Sequence, residues 1–234
     1  MEAALKSVED KLDIVRELTR GVMASQLSCA VVRGEPGVGK SHTVMEVVNS
    51  VRRENQTVVR VTGHITPLKA FYALGDAQGR GSVTIFDDCD DIFTELASLN
   101  LLKAAVDTKA NRVVTWGSSM KGMPYTDFEF HGGVIVLTNA DFRGPHYRAF
   151  MDRVHFFDLK ISKEEKVAKI FDVARKLEGV DEQTGLGIVT WLLENQALID
   201  ERLSLRTFVK VAELAKFTQN WKTLAKATLF NQAA

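Results

Sequence analysis

Gly34-Glu-Pro-Gly-Val-Gly-Lys-Ser41 decides how the rest of the chain is read. It fits the pattern G-x-x-x-x-G-K-[ST] in full. Before it lies an apolar run, Leu27-Ser-Cys-Ala-Val-Val32, and after it Val44, Val47, Val48 and Val51 recur at helical spacing. Strand, loop and helix in that order are what a phosphate cradle needs. The glycines let the backbone curl so that amide N–H groups face inward, and the helix start adds partial positive charge. Gly34, Glu35, Pro36, Gly37, Val38, Gly39, Lys40, Ser41 and His42 form the candidate phosphate-binding stretch. Lys40 would meet the β- and γ-phosphates, and Ser41 would ligand Mg2+.

Outward from the loop, Thr57–Thr62, Ser82–Phe86 and Gly133–Thr138 read as further strands, and Val154–Leu159 as a last short one. Their hydrophobicity is continuous rather than alternating, which predicts a largely parallel sheet covered by helices on both faces. An irregular hairpin, Arg112–Trp116 with Phe128–Phe130, is expected between the third and fourth strands. Ahead of the first strand, Val8, Leu12, Val15, Leu18 and Val22 mark one helical face, with Ser7 as a plausible cap. After Leu159 strand character ends. Ser162-Lys-Glu-Glu165 is a capping box opening a helix to about Leu177, and helical runs follow from Gln183 to Gln196 and from Ser204 onward. The expected organisation is an α/β core over 1–159 and a small all-helical domain over 160–234.

Asp87 and Asp88 close the third strand in Val83-Thr-Ile-Phe-Asp-Asp-Cys-Asp90. A carboxylate at the C-terminal edge of a strand beside the loop can hold hydrated Mg2+, the role assigned to Asp87. The next carboxylate, Asp88, would orient the attacking water. Asp90 and Asp91 also suit a solvated turn and a helix N-cap.

In this combination the chain resembles the AAA+ ATPases, P-loop proteins with an α/β nucleotide-binding core and a helical lid. Gly34–Ser41 matches Walker A, Ile85–Asp90 Walker B, Val134-Ile-Val-Leu-Thr-Asn139 sensor 1, and Leu203-Ser-Leu-Arg206 sensor 2. The resemblance implies ATP and Mg2+ as cofactors. It implies a catalytic set of Asp88, Asn139 on the attacking water or γ-phosphate, Arg206 on the phosphates from the lid, and an arginine finger reaching a neighbour's nucleotide. Ala149-Phe-Met-Asp-Arg-Val-His-Phe-Phe157 resembles the finger segment, with Arg153 as first choice and Arg148 as alternative or second interfacial arginine. A shared site implies a homo-oligomeric ring or spiral, in this family commonly a hexamer.

Two departures matter. Walker B commonly ends Asp-Glu, whereas Asp88 is one carbon shorter, and Gly63–Gly81 carries no aromatic-hydrophobic-glycine pore motif. A narrower resemblance, to small AAA+ ATPases of bacteriophages, rests on Val61-Thr-Gly-His-Ile-Thr-Pro67, Phe86–Asp90, Leu99-Asn-Leu-Leu-Lys103 and Val136–Asn139. It implies work on DNA or on a replication or recombination partner, in the cytoplasm (the host's, for a viral chain). Thr62 or His64 is a candidate to restrain the Walker B carboxylate.

Composition sets the outer bounds. The 234 residues are 45% hydrophobic and 26% charged, a globular profile, and 30 basic residues balance 30 acidic ones. A net charge of zero excludes a general basic coat, so any nucleic-acid contact is local. No apolar run approaches the roughly 20 residues that cross a bilayer, and the amino terminus lacks a signal-peptide core, so no membrane partner is expected. Cys29 and Cys89 form no ligand motif.

Candidate output segments are the hairpin tip with Lys121, Met123 and Tyr125, and the basic stretch from Arg206 through Lys210, Lys216, Lys222 and Lys226. In the latter, Val209, Leu214, Phe217, Trp221 and Leu224 also fit a packed helical face. An ATP-gated DNA-binding scaffold or helicase loader with little turnover, and a small-molecule P-loop kinase, are the alternative function classes.

Overall fold

The computed structural model describes residues 1–109, 111–117, 124–141, 143–195 and 203–230, apart from the side chain of Phe230. Two compact units divide the chain: one gathers residues 12–35 and 40–159, the other residues 1–11, 36–39 and 160–234. Residues 1–11 and the crown of the loop, 36–39, thus group with the C-terminal helices rather than with the sheet.

In the first unit a five-stranded sheet has the order β2-β3-β6-β1-β7, with every pairing parallel. The strands are β1 (Cys29–Gly34), β2 (Val58–Thr62), β3 (Val83–Asp87), β6 (Gly133–Thr138) and β7 (His155–Leu159). The central strands β3 and β6 are buried along their whole length, whereas the edge strands β2 and β7 are only partly covered. That gradient is the physical origin of the continuous apolar runs: a strand covered on both faces has no solvent side for polar residues. Covering helices are the second half of α1 (Glu2–Met23), α2 (Lys40–Val51), α3 (Pro67–Asp76), α4 (Asp91–Thr94), α5 (Leu96–Ala105) and α6 (Pro145–Met151). Phe71, Leu74, Phe86, Ile92, Leu102, Phe130 and Phe150 are essentially fully buried, each stabilising the unit by about 1.5–3 kcal/mol.

The expected hairpin forms as β4 (Val113–Thr115) against antiparallel β5 (Asp127–Glu129), with Val114 opposite Phe128 on the buried side. Lys121 and Met123 lie outside the described residues. Tyr125, read as a tip residue, instead packs edge-on against Tyr72 and Phe128 and tilted on Phe71, at centroid distances of 5.7, 5.8 and 5.6 Å. Its ring belongs to the hydrophobic cluster, because an aromatic face gains more from such neighbours than from water.

The second unit is helical. It contains α7 (Lys163–Ala174), α8 (Glu182–Glu194), α9 (Leu205–Phe217) and α10 (Trp221–Phe230) around Ile170, Ile188, Leu192, Phe208 and Val211. The Ser162/Glu165 capping box is present in full, and Asp181 and Ser204 cap α8 and α9 by accepting from the Thr184 and Thr207 amides. Val209, Leu214 and Trp221 pack as a helical face, Trp221 edge-on to Trp191. Phe217 does not: it is 82% exposed at the end of α9.

Ser7 is not a cap, since α1 already begins at Glu2 with helix-forming Ala3, Ala4 and Leu5. Its hydroxyl donates instead to Glu165 Oε1 at 2.6 Å, and Lys11 Nζ donates to both Glu165 oxygens at 2.7 Å. The start of α1 is thereby fastened to the start of α7.

Candidate nucleotide-binding site

The loop between β1 and α2 bends through Gly37 (φ 72°) and Gly39 (φ 98°), left-handed conformations that glycine adopts without a Cβ penalty. Lys40 is 6% exposed, and its ammonium donates to the carbonyls of Gly34 (2.6 Å) and Glu35 (2.9 Å). The charge is therefore held inside the curl of the loop, where phosphate oxygens would replace the carbonyls as stronger partners. His42 is exposed on the first turn of α2.

In the sheet unit, Asp87 ends β3 and is buried, with its side chain 5% exposed. Ser41 Oγ donates to its Oδ1 at 2.8 Å. Arg60, on β2, donates to its Oδ2 through Nη2 (2.5 Å) and Nε (3.2 Å). The register explains this. Thr62 lies opposite Asp87, so Arg60, two residues back on the same face, reaches it diagonally. Among the described residues, the side chains of Thr62 and His64 make no hydrogen bond or ion pair with Asp87 or Asp88. His64 Nδ1 pairs with Asp91 Oδ2 instead.

Asp88 is exposed and adopts φ 53°, one of two non-glycine residues with positive φ among those described. Its N–H donates to the Leu137 carbonyl at 2.9 Å, which ties the end of β3 to β6. Asp90 stands at the N-cap of α4 without capping it; its Oδ1 accepts a 2.6 Å hydrogen bond from the buried Thr138 hydroxyl. Thr138 Oγ1 also accepts from the Ala140 amide. The turn carrying Asn139, which is exposed, is thus anchored to the turn carrying Asp88. Cys89 is buried, its thiol donating to the Val61 carbonyl, and burial pushes its pKa up to about 11.

Of the two finger candidates, Arg153 Nη1 donates to the Ala149 carbonyl and its Nε lies 4.0 Å from Asp107. Arg148 is exposed on α6 and, among the described residues, has no side-chain hydrogen bond or ion pair. In the helical unit, the Leu205 amide donates to the Gly37 carbonyl at 3.2 Å. A Cβ on Gly37 would meet Ser204 Cβ at 2.9 Å and Arg206 Cβ at 3.4 Å. The start of α9 thus rests on the crown of the loop and brings exposed Arg206 beside it.

Paired oxygens from Ser41 and Asp87 suit a hydrated Mg2+, which takes one or two protein oxygens together with substrate phosphates rather than an all-protein cage. Among the described residues no group of three or more histidine, cysteine or acidic residues is placed to hold a metal. The Ser41–Asp87 oxygen pair fits Mg2+ delivered with a nucleotide. Sequence reasoning missed Arg60 and the Thr138–Asp90 bond, because neither follows from spacing.

A parallel sheet with a P-loop after its first strand and acidic residues ending the buried strand two places away, with β6 between them, together with a helical unit, is the AAA+ fold, of the RuvB-like type. Solved structures similar to the chain include RuvB of Thermotoga maritima, a Holliday junction branch migration motor (TM-score 0.50, 16% identity, covering 98% of this chain and 69% of RuvB), and a mutant of that protein (TM-score 0.56, 16% identity, 96% and 70%). In sequence the chain is 25% identical over 240 residues to an uncharacterized 36.7 kDa protein of Enterobacteria phage T4, from the nrdC-mobD intergenic region. The match spans 93% of this chain and 73% of the phage protein. No family model matches the chain. No described helix is long and apolar enough to cross a membrane.

Proposed function

We propose that the protein is an Mg2+-dependent ATPase that works as an oligomer and couples its nucleotide state to DNA or to a DNA-processing partner. The observation that carries the reading is the Ser41–Asp87 hydrogen bond, which joins the two sequence motifs of a metal–nucleotide site. DNA as the target is supported by the likeness to RuvB in fold.

In this reading the loop amides and Lys40 bind the phosphates, and Ser41 and Asp87 would hold Mg2+, which would supply charge neutralisation for the phosphates. Asp88 orients a water whose oxygen bonds to the γ-phosphorus as the bond to the bridging oxygen breaks, releasing ADP and phosphate. Asn139, on the turn that Thr138 ties to Asp90, assists in holding that water. Arg206 reports phosphate to α9. Arg148, exposed and without a side-chain hydrogen bond or ion pair among the described residues, is the finger favoured in this reading over Arg153, which bonds the Ala149 carbonyl and approaches Asp107.

Lys40→Ala should abolish nucleotide binding, and Asp88→Asn should keep binding and stop hydrolysis. Normal hydrolysis by Asp88→Asn would remove Asp88 from its role. A second reading, an ATP-gated scaffold with slow turnover, is favoured by the short Asp88 side chain in the place where Glu is usual. Turnover measured with and without DNA separates the two.

A further inference from the structure

At the end of the sheet opposite the loop, where β2 and β3 begin, a cavity of about 580 Å3 opens between the end of α1, the end of α2 and the turn before β3. Its lining carries three guanidinium groups, Arg20, Arg53 and Arg80, with the polar side chains of Ser25, Asn55 and Gln56, and neither an acidic nor an aromatic residue. Arg20 has one carboxylate partner, the exposed Glu17 on its own helix. Arg53 and Arg80 have no side-chain hydrogen bond or ion pair among the described residues.

The walls are held by hydrogen bonds within and between these segments. Ser25, at φ 57°, accepts from the Gly81 amide at 2.8 Å through its hydroxyl. The Arg53 amide donates to Gln56 Oε1 at 2.9 Å, and the Thr57 amide donates to Ser82 Oγ at 2.9 Å. Arg52, by contrast, is turned onto the Gln56 carbonyl. The helix ends account for a cation at Arg20 and Arg53, since C-terminal carbonyls favour positive charge. Arg80 lies on a turn, and three like charges around one cavity repel unless an anion joins them.

We infer that this cavity is an anion site, separate from the nucleotide loop, that takes phosphates of a nucleic-acid backbone. Guanidinium forks match phosphate oxygens in pairs. With no aromatic residue in the lining the cavity lacks the usual platform for base stacking, and guanidinium forks favour phosphate oxygens, so the contact is to the backbone and tolerant of sequence. Arg53, Asn55 and Arg80 are all exposed, which lets a continuous strand lie across the opening. In a chain of zero net charge such a local cluster supplies positive potential without a basic coat. The inference rests on the reading that DNA is the partner.

The test is fluorescence anisotropy of a labelled DNA duplex with the intact protein, Mg2+ and a non-hydrolysable ATP analogue, over a range of salt. The Arg53→Ala/Arg80→Ala double variant should bind about tenfold or more weakly, with a salt slope smaller by about 2, and Arg53→Lys/Arg80→Lys should recover most of the slope. Binding of a fluorescent ADP should be unchanged, since neither arginine belongs to the loop site. Wild-type binding that the double alanine variant matches in affinity and slope would overturn the arginine site and leave the DNA reading standing. Failure of the wild-type protein to bind the duplex even at low salt would overturn the DNA reading and the site with it. Inorganic pyrophosphate separates the source: a calorimetric signal that depends on Arg53 and Arg80 with pyrophosphate, but no such dependence with duplex, assigns the cavity to free phosphates and overturns the nucleic-acid assignment.

Discussion

The Ser41 hydroxyl and the Asp87 carboxylate meet at 2.8 Å, and on its other oxygen Asp87 meets Arg60. A buried carboxylate is thus satisfied from two elements before any metal or nucleotide is considered. Arg60→Gln removes its cation and should lower stability by about 1–2 kcal/mol, a value discounted because Arg60 is 42% exposed. In an Asp87→Asn background the same change should cost little. Urea midpoints of the four proteins measure the coupling; additive losses would mean that the pair does not act as one.

Asp88 has φ 53°, where Asp and Asn are tolerated and β-branched residues are strained. Asp88→Asn and Asp88→Gly should therefore unfold close to the wild-type midpoint, whereas Asp88→Val should lose about 1–2 kcal/mol. Chemical denaturation reads this independently of catalysis, and an unaffected valine variant would show that the turn relaxes.

For the finger, Arg148→Ala should remove turnover without changing the melting temperature. Arg153→Ala should lower the melting temperature, because it frees the Ala149 carbonyl and Asp107 of their partner. Mixing Arg148→Ala with Asp88→Asn subunits should restore part of the activity, since some interfaces then hold two intact halves. Recovery with Arg153→Ala and none with Arg148→Ala reverses the assignment.

Glu165 governs behaviour in acid. Burial alone would raise its pKa, but hydrogen bonds from Lys11, Ser7 and the Ser162 amide outweigh burial and hold it at about 2, against 4.5 for the free group. Because the folded-state pKa is the lower one, the stabilisation is complete above about pH 4.5 and is lost as pH falls towards 2. Integrated over that interval it amounts to at most about 3 kcal/mol. Glu165→Gln should therefore be less stable than wild type at pH 7, and the gap should narrow progressively below pH 4.5. A gap independent of pH would mean that packing, not charge, makes the difference.

Much of this architecture was legible because each part is local. The loop, the capping box at Ser162, the buried strands and the hairpin are written in runs of consecutive residues, and β6 has the bounds its apolar run predicts. β1 is displaced by two residues towards Gly34, since pairing with β6 and β7 carries the strand through Arg33 to the loop. What escaped depends on register. Arg60 reaches Asp87 only because β2 and β3 align Thr62 with Asp87, and Asp90 reads as a cap until β6 brings Thr138 against it. The same holds for the arginine cavity, whose three cations come from the last turn of α1, the segment after α2 and the turn before β3.

The grouping of residues 1–11 and 36–39 with the C-terminal helices bears on dissection of the protein. A fragment ending at Leu159 would keep all five strands yet lose the partners of Ser7 and Lys11 on α7, and the Leu205 amide that supports Gly37. Such a fragment should fold as a sheet with a frayed amino terminus and a slack loop. Supplying residues 160–234 as a separate chain would then be the way to ask how much of the loop's shape is borrowed.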